Sequence, residues 1–197
     1  GATLIGYQAG GAINSTDANY TVAVGYEAAA AITSGQKSTL LGYQAGKVIT
    51  TGDDNIAIGY QSLLYKATGN QNIGIGYQAI GGSSTTALNT GAGNTAIGYL
   101  TMQNVTVGGY NTALGRQTLQ QNISGSYNVA VGGNAGVNVG IGKSNSQYTT
   151  LVGTEAGNYT TGSYNTFIGG QAGKGGTTSA PYSSGQYNTA MGYQALT

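Results

Sequence analysis

Eleven times along the chain a β-branched residue, a variable residue and an aliphatic residue precede a glycine. The glycines are Gly6, Gly25, Gly42, Gly59, Gly76, Gly98, Gly115, Gly132, Gly153, Gly169 and Gly192. Five of the ten intervals between them are 17 residues, and the others are 19, 22, 21, 16 and 23. With each glycine as position 0, position −3 is always Thr, Val or Ile, and position −1 is always Ile, Val, Leu or Met. β-branched and aliphatic residues two apart read as one face of a short strand. So short a unit cannot bury its own apolar stripe, and near-copies at this period stack. The pattern predicts an all-β parallel β-solenoid, a flattened β-roll of about eleven coils with a modal length of 17 residues. It forms a single repeat domain over 1–197, expected to be a segment of a longer fibre. At about 4.8 Å per coil, eleven coils make a rod of about 53 Å.

The −3/−1 face is assigned to the interior, with the threonines hydrogen-bonding along their column. Position −2 then points outward. It is usually Ala, as at Ala23, Ala57 and Ala96, but also Leu4, Leu40, Leu151 and Phe167. Such a face reads either as a subunit seam or as a mildly apolar surface. After the glycine the best copies continue Tyr-Gln-Ala, as at Tyr43-Gln44-Ala45, and position +3 is always Ala, Ser or Thr. Stacked coils place tyrosine over tyrosine and amide over amide.

A second glycine precedes the first by seven residues in most intervals, as at Gly52 and Gly108, with Asn three residues later, as at Asn55 and Asn111. Both types tolerate positive φ, so they are expected to mark the ends of a turn. One coil is then a strand, a corner, a short second strand and an Asn/Gly turn. Length variation falls between position +4 and the second glycine, which places bulges such as 81–89 and 174–184 on one edge. Lys37 and Asp54 share position −5 in successive coils and are expected to pair. Asn138-Val139-Gly140-Ile141-Gly142 resembles a further copy but lies too close to its neighbours for a full circuit. It reads as a strand-like insertion or a truncated coil.

Composition narrows the function. Only 6% of residues are charged and the net charge is +1, so no basic stripe exists for nucleic acid or anionic membrane. No apolar run reaches the length of about 20 residues for membrane insertion. Glycine numbers 37, but its register with the aliphatic positions makes it a corner residue, not a mark of disorder. Cys, His and Trp are absent, which removes disulfides and thiolate or imidazole metal ligands. The five carboxylates are Asp17, Glu27, Asp53, Asp54 and Glu155. Glu27 and Glu155 share position +2 but are seven coils apart, about 34 Å at the stacking distance and beyond the reach of a glycosidase pair. No enzyme activity, metal or cofactor is expected.

Five Asn-x-Ser/Thr sequons, at Asn14, Asn19, Asn104, Asn122 and Asn158, are candidate glycosylation positions. Tyr7, Tyr26, Tyr43, Tyr60, Tyr77, Tyr99 and Tyr193 occupy position +1, and six further tyrosines occupy position −5. The +1 column is a candidate platform for sugar rings; the alternative is mutual stacking that stiffens the rod.

Asn94-Thr95-Ala96-Ile97-Gly98 and Asn111-Thr112-Ala113-Leu114-Gly115 resemble the repeat of trimeric autotransporter adhesin heads. The fuller Ile73-Gly74-Ile75-Gly76-Tyr77-Gln78-Ala79-Ile80 is similar to repeats in phage and other viral tail-fibre shafts. The resemblance spans nearly the whole chain. It implies a left-handed parallel β-roll, three chains side by side as a homotrimer, displayed extracellularly, on a cell surface or on a virion. The repeat here is longer than in adhesin heads and carries Tyr-Gln after the glycine. The function expected is a rigid structural fibre or adhesin-shaft segment with surface attachment. The alternative is a glycan- or ice-binding module, with a cell-surface glycan as partner, using the repetitive Tyr/Thr/Asn face.

Overall fold

The structure, a computed structural model, describes residues 1–13, 20–82, 89–138, 146–175 and 184–197. The chain is an all-β parallel solenoid. Eleven three-residue strands, β1 (Thr3–Ile5), β2 (Val22–Val24), β3 (Thr39–Leu41), β4 (Ile56–Ile58), β5 (Ile73–Ile75), β6 (Thr95–Ile97), β7 (Thr112–Leu114), β8 (Val129–Val131), β9 (Thr150–Val152), β10 (Thr166–Ile168) and β11 (Thr189–Met191), form one sheet in chain order. Every adjacent pair is parallel and in register, for instance Thr39↔Ile56, Leu40↔Ala57 and Leu41↔Ile58. The repeat glycines stand in a single file beside the strands. Their φ angles run from 118° to 140°. A Cβ on Gly42 would lie 2.6 Å from the carbonyl oxygen of Gly59. Both the backbone angle and the coil spacing therefore demand glycine.

The faces of the strand are the reverse of the sequence expectation. Position −2 is the interior: Ala23, Leu40, Ala57, Ala96, Ala130 and Leu151 are fully buried. Positions −3 and −1 are half-buried or exposed, as the pattern of β4 (half-buried, buried, exposed) shows. The reason is how close the opposite wall lies. A Cβ on Gly74, at position −2, would meet Ser62 Oγ at 2.7 Å and Ala79 O at 3.1 Å. Space this thin takes Ala on both walls, which also accounts for the small residue at position +3.

At positions −2 and +4 large residues enter by exchange across the core. Where position −2 is Leu or Phe, position +4 is Gly: Leu4 with Gly10, Leu40 with Gly46, Leu151 with Gly157, Phe167 with Gly173. Where position −2 is Ala or Gly, position +4 is often large: Leu63, Ile80, Met102 and Leu119, all fully buried. Nine of the eleven coils thus carry one bulky side chain at these two positions, on one wall or the other, while Ala23 with Ala29 and Ala130 with Gly136 leave both small.

The expected second strand is absent among the described residues. After the corner glycine the backbone alternates in hand, with positive φ at positions +2 and +4, for example Gln61 (52°) and Leu63 (53°). Each turn closes on itself (Ile49 N–H to Gly46 O, 3.0 Å) and still bonds the next coil (Leu63 N–H to Ala79 O, 3.0 Å). Backbone pairing continues there without extended geometry.

The Asn/Gly turn also differs in detail. Positive φ falls at position −5, on Lys37, Asp54, Gln71 and Tyr127 among others, and not on the asparagines. Gly52 has no positive φ either; its Cβ would lie 2.5 Å from Gly69 O, so stacking alone requires glycine there. The asparagines instead form a buried file. Asn94 Nδ2 donates to Gly108 O (2.9 Å) and its Oδ1 accepts the backbone and side-chain N–H groups of Asn111 (3.1 and 3.0 Å). Asn55, Asn72, Asn94, Asn111 and Asn128 are all fully buried, so each must be satisfied this way. Lys37 and Asp54 do not pair: both are exposed, and the described ion pairs are Lys47–Glu27 and Lys174–Glu155. Exposed charges gain little by ordering themselves.

Candidate interaction surface

Because position −2 turns inward, the β-branched and aliphatic columns turn outward. All 22 outward strand positions are Thr, Val, Ile, Leu or Met. Ile58, Ile97 and Leu114 are 36%, 38% and 46% exposed in the single chain. The two columns make an uncharged strip about 50 Å long and about 10 Å wide. An area on the order of 500 Å² lies in the range of the largest patch on a typical monomer, which is often functional. The outward face, which the sequence reading put at position −2, is therefore formed by positions −3 and −1.

Tyrosines border this strip two residues after the strand in seven coils and two residues before it in six. Tyr7, Tyr26, Tyr43, Tyr60, Tyr77 and Tyr99 stack as one column, with ring centroids 5.1–5.2 Å apart and interplanar angles of 5–19°. Tyr110, Tyr127, Tyr148, Tyr164 and Tyr187 form the second, at 4.9–5.3 Å and 2–7°. The aromatic edge changes sides between Tyr99 and Tyr110, in successive coils. Position +1 becomes Arg116, Gly133, Thr154 and Gly170 just where position −5 becomes tyrosine. Inside each column both ring faces are covered by neighbours. The ring edges and hydroxyls are what solvent meets, and Tyr193 stands outside both stacks, 74% exposed.

Amides form a third file. Gln61 donates to Gln44 and Gln44 to Glu27 (2.8 and 2.7 Å), while Gln78 donates to Gln61 and Gln103 to Gln78 (both 2.8 Å). Every bond runs the same way and terminates on a carboxylate. Lys47 closes the end at 2.7 Å from Glu27 Oε2. A shorter file, Gln194 to Gln171 to Glu155, is closed by Lys174 in the same manner. Hydrogen bonds from Lys47 and Gln44 hold the Glu27 carboxyl below its ordinary pKa, and those from Lys174 and Gln171 do the same for Glu155. The Glu27 charge raises the neighbouring Tyr26 phenol. Both glutamates are thus committed to terminating a file, a role that the repeat spacing alone did not reveal.

Lys66 was not singled out by its sequence position. It is fully buried in the column of Ile32, Ile49 and Val105, where its Nζ donates to Thr106 O at 2.8 Å. Burial pushes its pKa down to about 7. Its bond skips a coil, reaching past the one whose sequence carries the longer 81–89 segment.

The sequons divide. Asn14 and Asn19 lie outside the described residues, as do 139–142 of the short repeat copy and the centres of both long bulges. Asn104 is half-buried and donates to Gln121 at 2.9 Å. Asn122 is fully buried with both amide atoms bonded to Gly125 (3.2 and 2.8 Å), and Asn158 is 7% exposed. The folded chain leaves no room for a glycan on Asn122. Among the described residues no three carboxylates gather into a metal-binding group, and no helix is long and apolar enough to cross a membrane. No family model, curated protein or solved structure matches the chain.

Proposed function

We propose that the chain is a segment of a rigid structural fibre or adhesin shaft, displayed outside a cell or on a virion. Copies associate side by side through the outward −3/−1 strip as a parallel homotrimer. The observation that carries this reading is that strip: uncharged at every one of 22 positions and continuous over all eleven strands. A face of that kind gains by being covered, and identical copies in parallel register bring equal heights of the strip together. The mechanical role follows from the unbroken coil-to-coil ladder, which transmits load through backbone hydrogen bonds and stacked rings while terminal modules engage a surface. Sedimentation equilibrium over a wide concentration range tests it. The expected mass is three times that of the chain, with Ile58→Asp/Ile97→Asp shifting it to the monomer without loss of β-structure. A chain that stays monomeric at every concentration overturns the reading.

One observation favours a second reading. Thr3, Thr39, Thr95, Thr112, Thr150, Thr166 and Thr189 lie in the outward column, and not inside the coil as the sequence suggested. A sheet that carries threonine in seven of eleven strands, three of them consecutive in β9 to β11, suits an ordered hydroxyl lattice such as ice or a crystalline polysaccharide. Inhibition of ice recrystallisation, or retention on a polysaccharide column, by the wild-type chain but not by Thr95→Lys/Thr112→Lys would select it. Sugar stacking on the tyrosines would have to use ring edges or the column ends, since the internal faces are occupied.

A further inference from the structure

We propose that the two tyrosine columns are sites of oxidative cross-linking, in which one-electron oxidation joins successive coils of the same chain through dityrosine. The inference is independent of whether copies associate.

Three observations combine. The chain has no Cys, Trp or His, so among its side chains tyrosine is the principal one-electron donor. Of the two methionines Met102 is fully buried, and the exposed Met191 reacts by oxygen transfer rather than by loss of a single electron. The tyrosines are not scattered: nine consecutive pairs are held with centroids 4.9–5.3 Å apart. Finally, their edges are open to water; Tyr43 and Tyr127 are 42% and 47% exposed. A phenol that loses an electron can therefore release its proton to solvent at once.

The co-reactant is a peroxide used by a peroxidase-type one-electron oxidant. Two phenols each lose one electron and one proton. The resulting radicals couple carbon to carbon at positions ortho to the hydroxyls, and rearomatisation restores both rings. The two electrons and two protons reduce one hydrogen peroxide to two waters. Each link removes two hydrogens from the chain. A radical formed anywhere in a column has its partner one coil away, so the product is set by the stacking and not by chance encounter. The bond closes a loop of 17 residues between, for example, Tyr43 and Tyr60, and ties together two coils otherwise held by non-covalent bonds.

The experiment treats the folded chain with peroxidase and hydrogen peroxide, follows dityrosine fluorescence, and maps links by mass spectrometry after proteolysis. Links within one chain between column neighbours, Tyr43–Tyr60 and Tyr127–Tyr148 above all, are expected at least tenfold more often than in the same chain oxidised in denaturant. Tyr60→Phe keeps a ring in the stack and so keeps the fold; it should abolish links at that coil while Tyr26–Tyr43 persists. Equal patterns in folded and unfolded chains overturn the proposal. So do links dominated by Tyr65 and Tyr159, links only between chains, or no dityrosine at all.

Discussion

The exchange of bulk across the core can be tested by moving a side chain from one wall to the other. Leu40 is fully buried at position −2 and faces Gly46, while one coil on Ala57 faces Leu63. Leu40→Ala alone removes a filled volume and should cost about 2–5 kcal/mol. Gly46→Leu alone adds a side chain whose Cβ would already lie 2.8 Å from Leu40 Cδ2 and 2.9 Å from Ile49 Cδ1. Overpacking of that kind costs about 1–3 kcal/mol or more. The double variant reproduces the −2/+4 arrangement of the next coil, with Ile49 standing where that coil has Lys66. The backbone at Gly46 (φ 59°) already has the left-handed geometry that Leu63 adopts at 53°, so the residual cost is about 1–2 kcal/mol for that conformation plus what Ile49 Cδ1 loses in moving aside. The two changes should therefore recover about 1–3 kcal/mol relative to their sum, the range for residues in direct contact. Urea unfolding gives the totals, and amide exchange of β3 and β4 gives the local effect, which matters because solenoids need not unfold in one step. A double variant as unstable as the sum of the singles would refute the idea that bulk on one wall replaces bulk on the other.

Lys66 carries a pH signature. A base whose folded pKa is about 7, against 10.5 unfolded, binds fewer protons when folded, so stability rises with pH between those values. The gain from pH 7 to pH 9 should be about 2 kcal/mol, and Lys66→Met should remove the slope; Thr106 O keeps the Gly91 N–H (2.9 Å) as a donor. An equal slope in the variant would assign it elsewhere. For Glu27 the sign is opposite: its carboxyl is held below 4.5, so its contribution is present above that value and lost as pH falls through the folded pKa. Glu27→Gln should flatten the fall in melting temperature between pH 5 and pH 3. Asn94→Ala strips partners from Gly108 O and from Asn111 in the buried file, and should cost about 3 kcal/mol in urea unfolding. Gln61→Ala, in the half-buried amide file, should cost less than about 1 kcal/mol; equal losses would contradict the distinction drawn from burial.

The repeat spacing alone located all eleven strands, their order and their register, because identical short phrases at a near-constant interval leave parallel stacking as the way to cover each apolar stripe. It also placed tyrosine over tyrosine and glutamine over glutamine. Which face of the strand lies inside was beyond it: in a three-residue strand with no charged residue on either face, alternation separates −2 from −3 and −1 but does not say which side meets the core. The distance between the walls decides that, and it admits Ala where the sequence reading placed Ile and Thr. One trace was available, since Leu or Phe at −2 coincides with Gly at +4. The alternating hand after each corner, the burial of the asparagines and the depth of Lys66 likewise belong to the tertiary structure. Each depends on contacts between residues of different coils and opposite walls, which no local pattern encodes.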